Sequence, residues 1–277
     1  MAGTLYVVGT PIGNLGDLSP RAVQTLGEVD FIAAEDTRVT LRLLNHFGIK
    51  KPMVSYFEHN KRERGEIICA RLEAGESCAL VTDAGMPAIS DPGEELVRQC
   101  AQRGIAAVAV PGPSAVITAL ALSGLPTGRF TFEGFLSMNK KSRREHLMEI
   151  KEERRTMVFY EAPHKLANTL SDLYETLGDR SLSIVRELTK VHEEAIRTTL
   201  SDASRRYAEN TLKGELVLVI EGAPQKQEKI VSLEEACALA LNYTDEGLSA
   251  SDASKRAAKE TGLKKGDIYK RMSEDKL

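Results

Sequence analysis

No apolar stretch in this sequence approaches the ~18 residues that mark a membrane-spanning helix, and Met1 leads almost directly into the strand-like LYVV. That start has no room for the charged and apolar regions of an export signal. Neither a membrane span nor secretion is expected, and a cytoplasmic location is. Cysteine is scarce. Cys69, Cys78, Cys100 and Cys237 lack the spacing of metal ligands, and each falls in a predicted helix or strand. They read as buried, reduced thiols with no metal site among them. Excess positive charge is missing too. The formal net charge is −3, so no global basic field advertises nucleic acid, and any such site must be a local patch. The loop GTPIGNLGD (9–17) lacks both the G-x-G-x-x-G dinucleotide fingerprint and the Lys-Ser/Thr ending of a P-loop.

What is present is ordinary for a globular protein, with 42% hydrophobic and 28% charged residues. The length suits two domains and a small extra module. Strands and helices alternate. LYVV (5–8) precedes SPRAVQTL (19–26), where Ser19 is the cap and Pro20 takes the first helical position. VDFIAA (29–34), PMVSYF (52–57), CALVT and IAAVAV (105–110) read as further strands, separated by helices that stop at Gly48, Gly75 and Gly104. The last of those helices is predicted to begin at Asp91-Pro92. The pattern predicts a mainly parallel sheet covered on both faces, residues 1–113. A second α/β domain of mixed strand direction is expected over 114–224, from RFTFEGF, TMVFYE, SLSIVREL and GELVLVIEG with intervening helices. APQKQEK (223–229) reads as a polar linker, and 230–277 as a small module of helices only.

Three loops rich in glycine and proline, GTPIGN, TDAGMP and VPGPSA, follow strands of the first sheet. Glycine permits close backbone approach and proline stiffens a loop, so together they predict a preformed slot beyond the carboxyl ends of the strands. Asp83, at a strand end, can accept from an ammonium or from ribose hydroxyls; a helix-cap or Asx-turn role suits a lone Asp as well. Residue chemistry reaches a small polar ligand with an amino or ribose group and does not name it.

These loops, with AAEDTR (33–38), TDAGMPAISDPG (82–93), PGPSA (111–115), FYEAPHK (159–165) and KGELVLVIEG (213–222), occur in the order seen in a known family. They resemble the bacterial small-subunit ribosomal RNA methyltransferase I family of the tetrapyrrole-methylase superfamily. The resemblance implies two α/β domains with a cofactor cleft between them, S-adenosyl-L-methionine as methyl donor, and a homodimer. It also implies 2′-O-methylation of a cytidine ribose of 16S rRNA in the small ribosomal subunit. Carried over by motif, Pro11 would line the cleft, and Asp83, Ala84, Gly85 and Pro87 would hold the methionine end of the donor. Ser114 and Tyr160 would contact its other parts, with RELTKVHEE (186–194), which holds Leu188, and the GELV strand, which starts at Gly214, flanking the adenine.

Methyl transfer from a sulfonium is an in-line displacement, to which alignment supplies roughly 7–11 kcal/mol, and a weakly nucleophilic hydroxyl gains about 10²–10⁴ from a base or orienting group. The catalytic candidates are Glu35, Asp36, Arg38, His59 and Asn60, all at predicted strand ends of the first domain. Helix capping explains Asp36 equally well, and an exposed loop explains His59. No single residue is assigned as the base. For RNA the candidates are Lys140, Lys141, Arg143 and Arg144, cations at a helix start where they oppose the dipole and a phosphate would offset the cost. Lys255, Lys264 and Lys265 lie in a basic helix-turn-helix pattern in the tail, with Ala253, Ala257, Ala258, Leu263, Ile268 and Met272 as its small core. A dimer-packing or purely structural tail is the other reading. A small-molecule, tetrapyrrole-type methylase of the same fold is the competing function, and it would have no use for the cluster at 139–144.

Overall fold

The structure, a computed structural model, describes residues 2–210, 212–224 and 232–274. These form two compact units, Met1–Ala223 and Pro224–Leu277. Of the expected linker, residues 225–229 lie outside the described residues.

The first unit holds two five-stranded sheets. Strands β1 (Thr4–Val8), β2 (Phe31–Ala34), β3 (Met53–Ser55), β4 (Cys78–Val81) and β5 (Ala106–Val110) pair in the order β3-β2-β4-β1-β5, and every pairing is parallel. Four helices connect them: α1 (Pro20–Glu28), α2 (Thr37–His46), α3 (Lys61–Glu73) and α4 (Glu94–Gln102). A parallel sheet needs crossovers on its faces, so its central strands are apolar without alternation. All four residues of β2 and all four of β4 are buried. Ser19 accepts the Ala22 amide at 3.1 Å with Pro20 at the first helical position, as the sequence predicts.

The connections from β1 run to one side of the sheet and those from β4 to the other, so the order reverses between these two neighbours. That reversal opens a crevice beyond their carboxyl ends, the position where open α/β sheets take ligands. Two departures from expectation matter nearby. The helix expected from Asp91 begins only at Glu94, which leaves Asp91 on the loop. Strand β5 is not covered on both faces: Ala106 to Ala109 are exposed at the sheet edge.

The second sheet comprises β6 (Phe130–Phe135), β7 (Thr156–Glu161), β8 (Ser181–Arg186), β9 (Glu194–Thr199) and β10 (Leu216–Ile220), ordered β6-β7-β10-β8-β9. Only β6 and β7 are parallel; the other pairs are antiparallel, so the expected mixed direction is found. Helix α5 (Ala115–Ser123) packs on one face, and α6 (Lys140–Glu149), α7 (Leu166–Leu177) and α8 (Leu200–Arg206) enclose a core with Met157, Phe159, Ile184 and Leu218 on the other. Strand β9 was not foreseen. Its sequence EAIRTT is short and polar, as an edge strand's is, and its Arg197 reaches out to the carbonyls of Ser123 (3.1 Å) and Leu122 (2.6 Å) at the end of α5.

The second unit is α9 (Leu233–Asp245), α10 (Ala250–Thr261) and α11 (Lys265–Glu274). Ala253, Ala257, Ile268 and Met272 are buried in its core, with Ala258 and Leu263 packed against them, and Gly262 turns the chain at φ 73°. All four cysteines are buried, and the Cys237 thiol donates to the Ile268 carbonyl. No helix among the described residues is long and apolar enough to cross a membrane.

Candidate functional site

The β1 and β4 loops are tied together by backbone. The Thr10 amide donates to the Gly85 carbonyl (2.9 Å), the Gly85 amide returns a bond to Thr10 (3.1 Å), and the Thr10 hydroxyl donates to the Thr82 carbonyl (3.0 Å). The β5 loop closes in from the other side. A Cβ added to Gly9 would stand 2.6 Å from the Gly112 Cα, so only two glycines allow these backbones to touch. The slot expected from the three loops is therefore built, and built rigidly.

Beyond it lies a cavity of about 340 Å³ in the first unit, walled by both sheets. Ile12, Ala84, Gly85, Met86 and Asp91 come from the first sheet's loops, and Ser114 from the segment leading into α5. Phe135, Tyr160, Leu188, Glu215 and Val217 come from the second sheet. Two of its loops hold non-glycine residues in left-handed conformation: Ala88 (φ 71°) and Ser90 (φ 64°), then Glu187 (φ 52°) and Thr189 (φ 65°). Such strain costs about 1–3 kcal/mol per residue and concentrates at binding sites.

The cavity wall contains three carboxylates and no Lys, Arg or His. Glu215 is held by the Lys190 ammonium at 2.9 Å. Glu161 accepts from the Ala162 amide (2.7 Å) and the Thr169 hydroxyl. Asp91 has no hydrogen-bond or ion-pair partner among the described residues. Burial, then the charges of Glu35 and Asp83, push its carboxyl up to about 7. Across the cavity, burial and then the Asp91 charge push the Tyr160 hydroxyl up to about 12.

The candidate residues distribute unevenly. Ala84, Gly85, Ser114, Tyr160 and Leu188 line the cavity. Pro11 and Asp83 line a smaller one of about 270 Å³ with Arg42 and Thr82. Pro87 lines neither, and Gly214 instead gives room to the Glu187 side chain, which a Cβ there would strike. Asp83 braces the loops: it accepts the Asp36 amide at 3.2 Å, and its own amide donates to Glu35 at 3.3 Å. Glu35 is half-buried, and burial raises its pKa. Asp36 caps α2 through the Arg38 amide (2.8 Å) and grips the Arg38 guanidinium (3.0 and 2.6 Å), which holds its carboxyl well below the usual range. His59 is exposed, and Asn60 braces its own turn through the Phe57 amide and the Ser55 carbonyl. Glu35, Asp36, Arg38, His59 and Asn60 thus all lie outside the cavity wall.

Lys140, Lys141, Arg143 and Arg144 open α6 after the Asn139 cap. Three of them are exposed; Arg143 is drawn inward to Asp172. Lys255 lies exposed on α10, and Lys264 and Lys265 at the start of α11, where the Lys265 ammonium donates to Ser251 (2.9 Å). Sequence reasoning placed the loop of Met86 and the strand of Glu215 at the donor without singling out either side chain, and it missed Ile12 and above all Asp91, whose position before a proline read as the start of a helix.

The family model of the Tetrapyrrole (Corrin/Porphyrin) Methylases matches residues 4–204. The chain is 49% identical over 268 residues to the ribosomal RNA small subunit methyltransferase I of Synechocystis sp., covering 96% of each chain. It is 43% identical over 275 residues to the protein of the same name from Bacillus subtilis (strain 168), covering 96% of this chain and 93% of that one. Among solved structures, uroporphyrin-III C-methyl transferase from Thermus thermophilus, complexed with S-adenyl homocysteine, shares the fold at a TM-score of 0.53 and 19% identity. It covers 78% of this chain and 97% of that one. Diphthine synthase shares it at a TM-score of 0.58 and 15% identity, covering 79% of this chain and 90% of that one.

Proposed function

This chain belongs to the tetrapyrrole methylases and, within them, to the ribosomal RNA small subunit methyltransferase I family, and on that premise we propose that it methylates the 2′-hydroxyl of a cytidine in 16S rRNA, with S-adenosyl-L-methionine as donor. The observation that carries the donor is the charge of the cavity. S-adenosylmethionine has a sulfonium and an ammonium against one carboxylate, a net cation. A cavity with carboxylates and no cationic side chain in its wall suits that charge and opposes a polyphosphate ligand. The Leu188 and Val217 side chains offer apolar surface for a purine, and the amides of the TDAGMP loop offer donors to a carboxylate.

When bound, the donor supplies an electrophilic methyl carbon. The chain's own part is to hold the two reactants in line, which the rigid contact between Gly9 and Gly112 favours. Asp91, ionising near neutral pH inside the cavity, can balance a cation or take up a proton at its carboxylate. RNA as the substrate, rather than a small tetrapyrrole-like molecule, is supported by the relatives' names and by the exposed cations on α6. A homodimer is supported by the apolar edge of β5 and the following α5, where Val108, Ile117 and Leu122 are 42%, 54% and 36% exposed. The deciding experiment is mass spectrometry of 16S rRNA nucleosides from cells with and without the gene. Loss of one 2′-O-methylcytidine is expected on deletion; an unchanged nucleoside profile would sink the proposal.

A further inference from the structure

A groove of about 820 Å³ runs between α6 and α7, separate from the donor cavity. Lys140 and Arg144 line it from α6, Lys151 from the turn after α6, and Lys165 from the turn before α7. None of these four has an ion-pair partner among the described residues. Many cations elsewhere on this acidic chain are neutralised, as in Arg103 with Glu66 or Arg186 with Glu194. Unpaired cations gathered along one groove repel each other, a cost that a polyanion in the groove removes.

The groove also carries apolar surface. Met138 and Met148 line it at 73% and 55% exposure. Two short stretches of chain, 135–137 and 163–165, reach from the donor cavity to the groove. Phe135 lines the cavity, Ser137 lines the groove, and the two residues are joined by at most ~7 Å of extended backbone. The Phe135 ring is 56% exposed and sits 5.5 Å from that of Tyr160.

We infer that this groove is the track for single-stranded RNA flanking the target nucleotide, with Lys151 and Lys165 holding phosphates beside Lys140 and Arg144. Phe135 and Met138 give an unstacked base an apolar surface at the cavity mouth. The inference rests on the reading of RNA as substrate. Cations that follow a backbone, interleaved with surfaces for base faces, are what single-stranded nucleic acid requires; an acidic peptide would have no use for the stacking surface.

The test uses the full chain with Lys151→Ala and Lys165→Ala combined, since neither residue lines the donor cavity or belongs to the basic cluster that opens α6. Binding of a cytidine-containing single-stranded oligoribonucleotide is measured against salt, with donor affinity by calorimetry and methylation of unmodified small subunits alongside. Each phosphate contact contributes ~0.7 to the salt exponent, or about fivefold at 0.1 M salt. The double variant is therefore expected to bind the oligoribonucleotide ~25-fold more weakly, with a salt slope lower by ~1.4, and to bind donor like the wild type. Unchanged affinity and slope, in a setting where the wild type methylates subunits, would overturn the groove alone. Affinity lost for assembled subunits but kept for the oligoribonucleotide would also overturn it, and would point to a protein contact. A wild type that binds donor yet methylates no subunit RNA would overturn the proposed function and the groove with it.

Discussion

Arg143 crosses from α6 to α7, where its guanidinium holds Asp172 at 2.5 Å and donates to the Thr169 hydroxyl at 2.9 Å. Its side chain is 14% exposed, whereas that of Lys141, two residues earlier, is 85% exposed. Four neighbouring cations therefore do different work: one fastens two helices and three face outward. Arg143→Ala is expected to cost about 1–2 kcal/mol, because a mostly buried partner is lost while Asp172 keeps access to water. A melting temperature lower by a few degrees would register this. Lys141→Ala should leave melting unchanged, and equal melting for both variants would show that the Asp172 pair does not stabilise the fold.

Asp91 makes the second prediction one of sign. Its carboxyl is pushed up from 3.8 to about 7, largely by burial, so the folded chain holds a proton that the unfolded chain releases. The contribution of this group to stability therefore falls as pH rises from about 4 to about 7. Asp91→Asn should raise the melting temperature of the donor-free protein above pH 7 and leave it near the wild-type value below pH 4. The same substitution should weaken S-adenosylmethionine binding on the order of tenfold at pH 8, by removing a charge from the cavity wall. Asp83→Ala should weaken it less, since Asp83 faces the Asp36 amide rather than the cavity. Calorimetry that ranks the two variants in the opposite order would return the donor's counter-charge to Asp83.

The third prediction concerns the tail. The cavity lies wholly within Met1–Ala223, and the tail helices have their own core around Ala240, Ala253 and Ile268. Truncation after Ala223 should leave a folded protein that binds donor within about twofold of the full chain. Affinity for small-subunit RNA should fall, because Lys255, Lys264 and Lys265 leave with the tail. Loss of self-association with RNA affinity unchanged would make the tail an assembly element instead.

The amino-acid sequence by itself determined most of the elements and their order. Ser19 before Pro20, the unbroken apolar runs of β2 and β4, and the small apolar residues of α10 are local signals, legible before any distant contact is known. The loop glycines belong here as well, because Gly85 and Gly262 mark left-handed backbone that few other residues accept. The motifs in order carried the family likewise.

Only the tertiary structure decided which polar groups meet the cavity. Asp83 and Asp91 stand eight residues apart in one loop and are equally acidic in the sequence. The first turns to cap a backbone amide, and the second is left without a partner beside Glu35 and across from Tyr160. Arg143 and Lys141 share a helix turn in the same way, until the packing of α7 takes one and leaves the other. Strand β9 was illegible for the same reason, since an edge strand draws its stability from the partner it pairs with more than from its own residues. Burial, charge and pairing are properties of neighbours, and neighbours distant in the chain exist only once it has folded.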